Sequence, residues 1–135
     1  MISLANLGVG MALPERIHKP DNVELFMYNA ALWNAHRIHF DRPYATGEEG
    51  YEGLVIAGPQ MGDWLGQVVD NWLEDAGEIM QLTYSNRQAA FIGETLLAGG
   101  EITAIDDNEV SIDLFIKNEK GDVITPGTAK IRVNT

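Results

Sequence analysis

Residues 59–76 read PQMGDWLGQVVDNWLEDA, and this stretch decides the fold. Met61, Trp64, Leu65, Val68, Val69, Trp72 and Leu73 recur at i, i+3 and i+4 without a miss. Asp63, Gln67, Asp70, Asn71 and Glu74 take the opposite face. Pro59 stands where a first helical residue belongs, Gly58 precedes it, and Gly77 supplies the stop. The spacing predicts a helix over residues 59–76, roughly 27 Å long. A stripe that carries two tryptophans must lie against something broad. Gly62 and Gly66, four apart, cost helix propensity and predict close approach by another backbone.

The surface that covers this stripe is expected downstream. From Ile79 to the C-terminus the chain reads as strand and turn. Met80, Leu82 and Tyr84 alternate, as do Val110, Ile112, Leu114 and Ile116, and then Ala129, Ile131 and Val133. Turns are expected at Gly99-Gly100, at Asp106-Asp107-Asn108 and at Glu119-Lys120-Gly121-Asp122. Alternation means one buried and one wet face, hence an antiparallel meander. Upstream, Asp21 with Glu24 three residues later reads as a capping-box-like start. Val23, Phe26, Met27, Ala30 and Trp33 then give a short amphipathic helix that runs to about Trp33. The economical fold is α+β, a curved antiparallel sheet wrapped around the central helix.

The totals narrow the partners. At 135 residues the chain is read as one domain, 1–135, with a real core. It has no cysteine, which removes disulfides, thiolate metal sites and a thiol nucleophile. Twenty acidic against nine basic residues give a formal charge of −11, so nucleic acid is not an expected partner. The same field counts mildly against a polyanionic carrier such as coenzyme A, unless Arg37, Arg42 and Arg87 meet in space. No apolar run reaches membrane-spanning length, and residues 1–13 lack the basic start of a signal peptide. The expectation is a cytoplasmic protein with no membrane partner.

Proton chemistry concentrates in one run, Asn34-Ala35-His36-Arg37-Ile38-His39-Phe40-Asp41. Two of the three histidines lie there, in a loop after the first helix. Loops held by a scaffold are where catalytic groups gather, and histidine titrates near neutral pH. Asp41 is expected to cap a further turn through Arg42, Pro43 and Tyr44. Trp64 and Trp72 read as core, His18 as a surface residue, and Glu48 and Glu49 as a solvated loop.

Three segments carry a family resemblance: LWNAHRIHFDRPYA (residues 32–45), GYEGLVIAGP (50–59) and RQAAFIGETL (87–96). In that order, with the helix and meander around them, they resemble the MaoC-like dehydratase/hydratase family of hot-dog proteins. They are most similar to its branch of acyl-thioester dehydratases with an N-x-H-R-I-H-[YF]-D run, which includes mesaconyl-CoA hydratase-like proteins. The resemblance covers roughly residues 20–133, and its first segment is the specific one.

The resemblance implies reversible addition of water across the 2,3 double bond of an enoyl thioester, giving the (R)-3-hydroxyacyl product. It implies no metal or redox cofactor, with the substrate carried on coenzyme A or acyl carrier protein. It implies a homodimer, or a heteromer with another hot-dog subunit, with the site between two folds. His39 matches the family's catalytic histidine. Typical members carry an aspartate five residues earlier, where this chain has Asn34. An amide can orient a water but cannot shuttle a proton. Gly58, at the start of the central helix, matches the backbone donor that holds the thioester oxygen. The helix end supplies unpaired N–H groups and positive dipole, and Pro59 has no N–H to offer. His36, Arg37 and Arg87 are candidates to bind substrate.

Asn34 leaves three readings open. His39 performs both proton steps while Asn34 holds the water; or His36 has taken over one role; or the chain is a non-catalytic or half-active subunit of a heteromeric hydratase. A hot-dog thioesterase is a further alternative, disfavoured because such enzymes generally use a carboxylate that Asn34 removes.

Overall fold

The computed structural model describes residues 2–135. The stripe forms its helix: α2 (Gly58–Leu73) has Pro59 in its first turn, and a 3₁₀ turn, Glu74–Ala76, carries it to the expected end. Met61, Trp64, Leu65, Val68, Val69 and Leu73 are buried. Burying apolar side chains of this size is worth about 1.5–3 kcal/mol apiece.

Five strands, β1 (Arg16–His18), β2 (Gly77–Tyr84), β3 (Leu96–Asp106), β4 (Glu109–Lys117) and β5 (Val123–Val133), form one antiparallel sheet. Its order is β1-β3-β4-β5-β2, and β2 to β5 all meet α2. Alternate residues of β4 (Val110, Ile112, Leu114, Ile116) and of β5 (Ala129, Ile131, Val133) are buried, as the alternation predicts. The sheet curls around the helix in the α+β hot-dog arrangement. Asp107, at φ 54°, turns the β3–β4 hairpin, and Gly121, at φ 84°, turns the β4–β5 connection.

Several expectations need correction. In β2 a bulge between Ile79 and Gln81 breaks the alternation, so Ile79 and Leu82 pack on the core and Met80 is left exposed. Gly99 and Gly100 lie inside β3 and not in a turn. A side chain on Gly99 would strike the Phe115 ring, and one on Gly100 would strike Leu114 of the paired strand. Gly62 and Gly66 do mark close approach, but by side chains: the Tyr84 ring fills the space over Gly62 and Leu82 lies on Gly66.

The largest correction concerns α1 (Asn22–Ala31). Asp21 caps it as expected, accepting the Glu24 N–H at 2.9 Å. Its apolar stripe, however, faces outward: Val23, Phe26 and Met27 are exposed, while Leu25 and Asn29 are buried. The cause is polar docking. The Tyr28 hydroxyl donates to Asp63 at 2.6 Å and Gln60 donates to Glu24 at 3.3 Å, so α1 sits against the polar side of α2's first turns. The helix ends before Trp33, which adopts a left-handed φ of 54° and is 94% exposed. His18 is not a surface residue either. It lies in β1, a strand too short to be read from the sequence, and stacks on Trp64 with ring centroids 4.2 Å apart.

Candidate active site

Beyond α1 the chain is held by local bonds that follow from its own polar residues. The Asn34 N–H donates to the Asn29 carbonyl at 2.9 Å, and the Asn34 side-chain oxygen accepts the His36 N–H at 3.1 Å. A 3₁₀ turn, Arg37–His39, follows. Asp41 caps the next turn as expected, accepting the Tyr44 N–H at 3.2 Å, and it also takes the Arg37 guanidinium at 2.7 Å. That guanidinium lies over the Tyr44 ring, 4.2 Å from its centroid. Arg37 is therefore already paired and stacked. It faces the cleft of Pro43, Tyr44 and Glu48, whereas Arg87 lines a different cavity with His39. Arg37 and Arg87 thus line different clefts.

His39 is the buried histidine of the run, at 7% exposure, and two bonds to the backbone of residue 55 fix it. The Val55 N–H donates to the Ile38 carbonyl at 3.0 Å, and the Val55 carbonyl lies 2.7 Å from His39 Nδ1. A carbonyl only accepts, so Nδ1 carries the hydrogen and Nε2 keeps its lone pair. Burial pulls the His39 pKa below its ordinary value of 6.5; the Val55 bond opposes this and the charge of His36 adds to it. The His36 ring is exposed and stands edge-on to His39, centroids 5.8 Å apart. The neutral imidazole that results is a base available below neutral pH.

Val55 leads directly into α2, which brings the helix start to the same place. Gly58 is the first residue of α2, and no side chain caps that end. Its N–H stands outside the intrahelical ladder, at the positive end of the helix dipole. Gly58, His39, Ile38, Met61, Asn86 and Arg87 all line one cavity of about 240 Å³. A larger one, about 600 Å³, opens at the other end of α2, but Glu74, Asp75, Trp72 and Asn134 line it and no histidine does. The candidate site is the smaller cavity, which brings the buried histidine to the helix start. Among the described residues no three His, Asp or Glu side chains converge as for a metal ion.

Asn86 also lines this cavity and is not among the candidates expected from the sequence. It sits after β2, where nothing in Ser85-Asn86-Arg87 marks it, and it reaches the cavity only because the segment bonds back to β5. Arg87 forms no ion pair among the described residues and stands exposed at the cavity.

A family model described as hydroxyacyl-thioester dehydratase type 2 matches residues 12–92. Mesaconyl-C(4)-CoA hydratase of Chloroflexus aurantiacus is 62% identical over 40 residues, 30% of this chain but 14% of that protein. The chain thus aligns with only a small part of that relative's length. Among solved structures, the (R)-hydratase from A. caviae involved in PHA biosynthesis superposes with a TM-score of 0.87 at 17% identity, over 96% of this chain and 98% of that one. A chain of the ChsH1–ChsH2 complex from Mycobacterium tuberculosis gives 0.85 at 19% identity, over 94% and 98%. At such identities the structural matches establish the shared fold. No helix among the described residues is long and apolar enough to cross a membrane.

Proposed function

Starting from a chain that belongs to the hydroxyacyl-thioester dehydratase type 2 family, we propose that it hydrates enoyl thioesters reversibly to (R)-3-hydroxyacyl thioesters. The carrier is coenzyme A or acyl carrier protein. His39 Nε2 takes a proton from water as the water oxygen bonds to C3. The double-bond electrons move toward the thioester oxygen, which the Gly58 N–H stabilises. The imidazolium then returns its proton to C2 on the same face, so H and OH are both accounted for and the enzyme is restored. Arg87, exposed at the His39 cavity and in no ion pair among the described residues, is the cation offered to a carrier phosphate, while Arg37 is engaged by Asp41 and Tyr44.

The observation that carries this reading is the fixed tautomer of His39: Nδ1 spent on Val55, Nε2 free, in one cavity with the uncapped start of α2. The test is the purified chain with crotonyl-CoA, followed by loss of the enoyl absorbance. Hydration is the expected result. Rapid release of free thiol from a saturated acyl-CoA would point to a thioesterase instead.

A second reading, a half-active subunit of a heteromeric hydratase, draws support from Asn34. Its side-chain oxygen is occupied by the His36 N–H and it supplies no proton carrier. The ChsH1–ChsH2 neighbour is itself a complex of two components. Inactivity alone, restored by a second hot-dog subunit, would select this reading.

A further inference from the structure

We infer that Asn86 supplies a second hydrogen bond to the thioester oxygen, with Thr125 as the residue that aims it. The inference rests on the hydratase reading above and deepens it.

The segment around Asn86 is fixed to β5 on both sides. The Ser85 N–H donates to the Pro126 carbonyl at 3.1 Å, and the Arg87 N–H to the Ile124 carbonyl at 2.9 Å. Between those two residues of β5 lies Thr125, fully buried. Its hydroxyl donates to the Asn86 side-chain oxygen at 3.0 Å. One end of the amide is thereby occupied, so the other end, Nδ2, points away from β5. It points at Gly58, for a methyl group added there would fall on the Asn86 amide nitrogen. No described residue accepts a hydrogen bond from Nδ2.

Gly58 thus serves twice: its backbone N–H is a donor at the uncapped helix start, and its missing side chain leaves room for a second donor beside it. Both line the cavity of His39. Two donors from separate elements, one backbone and one side chain, meet the requirement of an oxyanion site better than one, because each is held in place before charge develops. Asn86 is exposed at the cavity, and tying the loop to β5 uses only its oxygen on Thr125, so Nδ2 is left open to solvent in the free protein and to a ligand oxygen when one is bound.

The test separates these roles. Asn86→Asp keeps an acceptor for Thr125 but loses both amide hydrogens. It is expected to lower kcat for crotonyl-CoA about 100-fold, the usual cost of one oxyanion donor, with KM within about threefold. Thr125→Val is expected to lose about tenfold and Thr125→Ser to recover most of it, the pattern of a positioning residue. A readout independent of turnover is the infrared band of the thioester carbonyl in bound butyryl-CoA, which is saturated and cannot be hydrated. Wild-type protein and His39→Ala are both expected to lower its frequency, and Asn86→Asp to give a clearly smaller shift. If crotonyl-CoA is never hydrated but this infrared pattern appears, the hydratase reading fails while the donor assignment stands. An unchanged carbonyl shift or unchanged kcat in folded Asn86→Asp overturns the assignment, as does the absence of any shift in the wild-type complex.

Discussion

His36 and His39 stand three residues apart in one turn, yet the fold treats them in opposite ways. His39 is buried, with Nδ1 on the Val55 carbonyl and its pKa held down by burial. His36 is exposed, and only its backbone N–H is held, by Asn34. A 3₁₀ turn puts residues three apart on one side, so the rings meet edge-on. What separates them is the segment at residue 55, which touches one and not the other. A catalytic group is made by the second element that fixes it as much as by its own side chain.

The largest expected effect sharpens that contrast. His39→Gln, which cannot serve as base, should lower kcat about 1,000-fold or more, whereas His36→Gln should cost less than about tenfold. Equal losses in steady-state assays would mean that burial does not separate the two histidines functionally. Next comes Asn34→Asp. The new carboxylate still accepts the His36 N–H, and if one imidazole does both proton steps kcat changes by no more than about threefold. A gain of about 100-fold would mean that a second proton carrier had been lost from this loop.

The pH profile gives a subtler contrast. Because burial and the charge of His36 both lower the His39 pKa, the acid limb of kcat/KM should fall below pH 6.5. His36→Gln removes the repelling charge and should move that limb upward. A limb that stays put would dissociate the two rings electrostatically. The smallest effect is on stability. His18, stacked on Trp64, also has its pKa lowered, first by burial and then by Arg16. A histidine whose folded pKa lies below its unfolded value binds fewer protons when folded, so stability is lost as pH falls through 6.5 toward the folded value. Denaturant melts between about pH 7 and pH 5 should show that loss, reduced in His18→Phe.

How much of this was legible follows the range of the interactions. The α2 stripe and the alternation of β4 and β5 record burial residue by residue, so periodicity reads them directly. The same logic misread α1. A stripe reports that an apolar face exists, and here Tyr28–Asp63 and Glu24–Gln60 decide which face turns inward. His39 and Gly58 were legible as candidates because a motif and a helix start mark them, and they line one cavity. Asn34, marked by the same motif, turns its side-chain oxygen to the His36 N–H and is not among the residues that line it. The Val55 carbonyl, Asn86 and Thr125 were not legible, since each matters only through a partner distant in sequence. Gly58 shows the boundary: the free N–H is readable from Gly-Pro before a helix, but the room for Asn86 is not.

In the proposed hydration one imidazole, on one face of the substrate, carries both proton steps. Hydration of crotonyl-CoA in D2O tests it most directly, with the relative configuration at C2 and C3 of the product read by proton NMR. Deuterium and hydroxyl are expected on the same face. Addition to opposite faces would require a second proton carrier across the substrate and would contradict it.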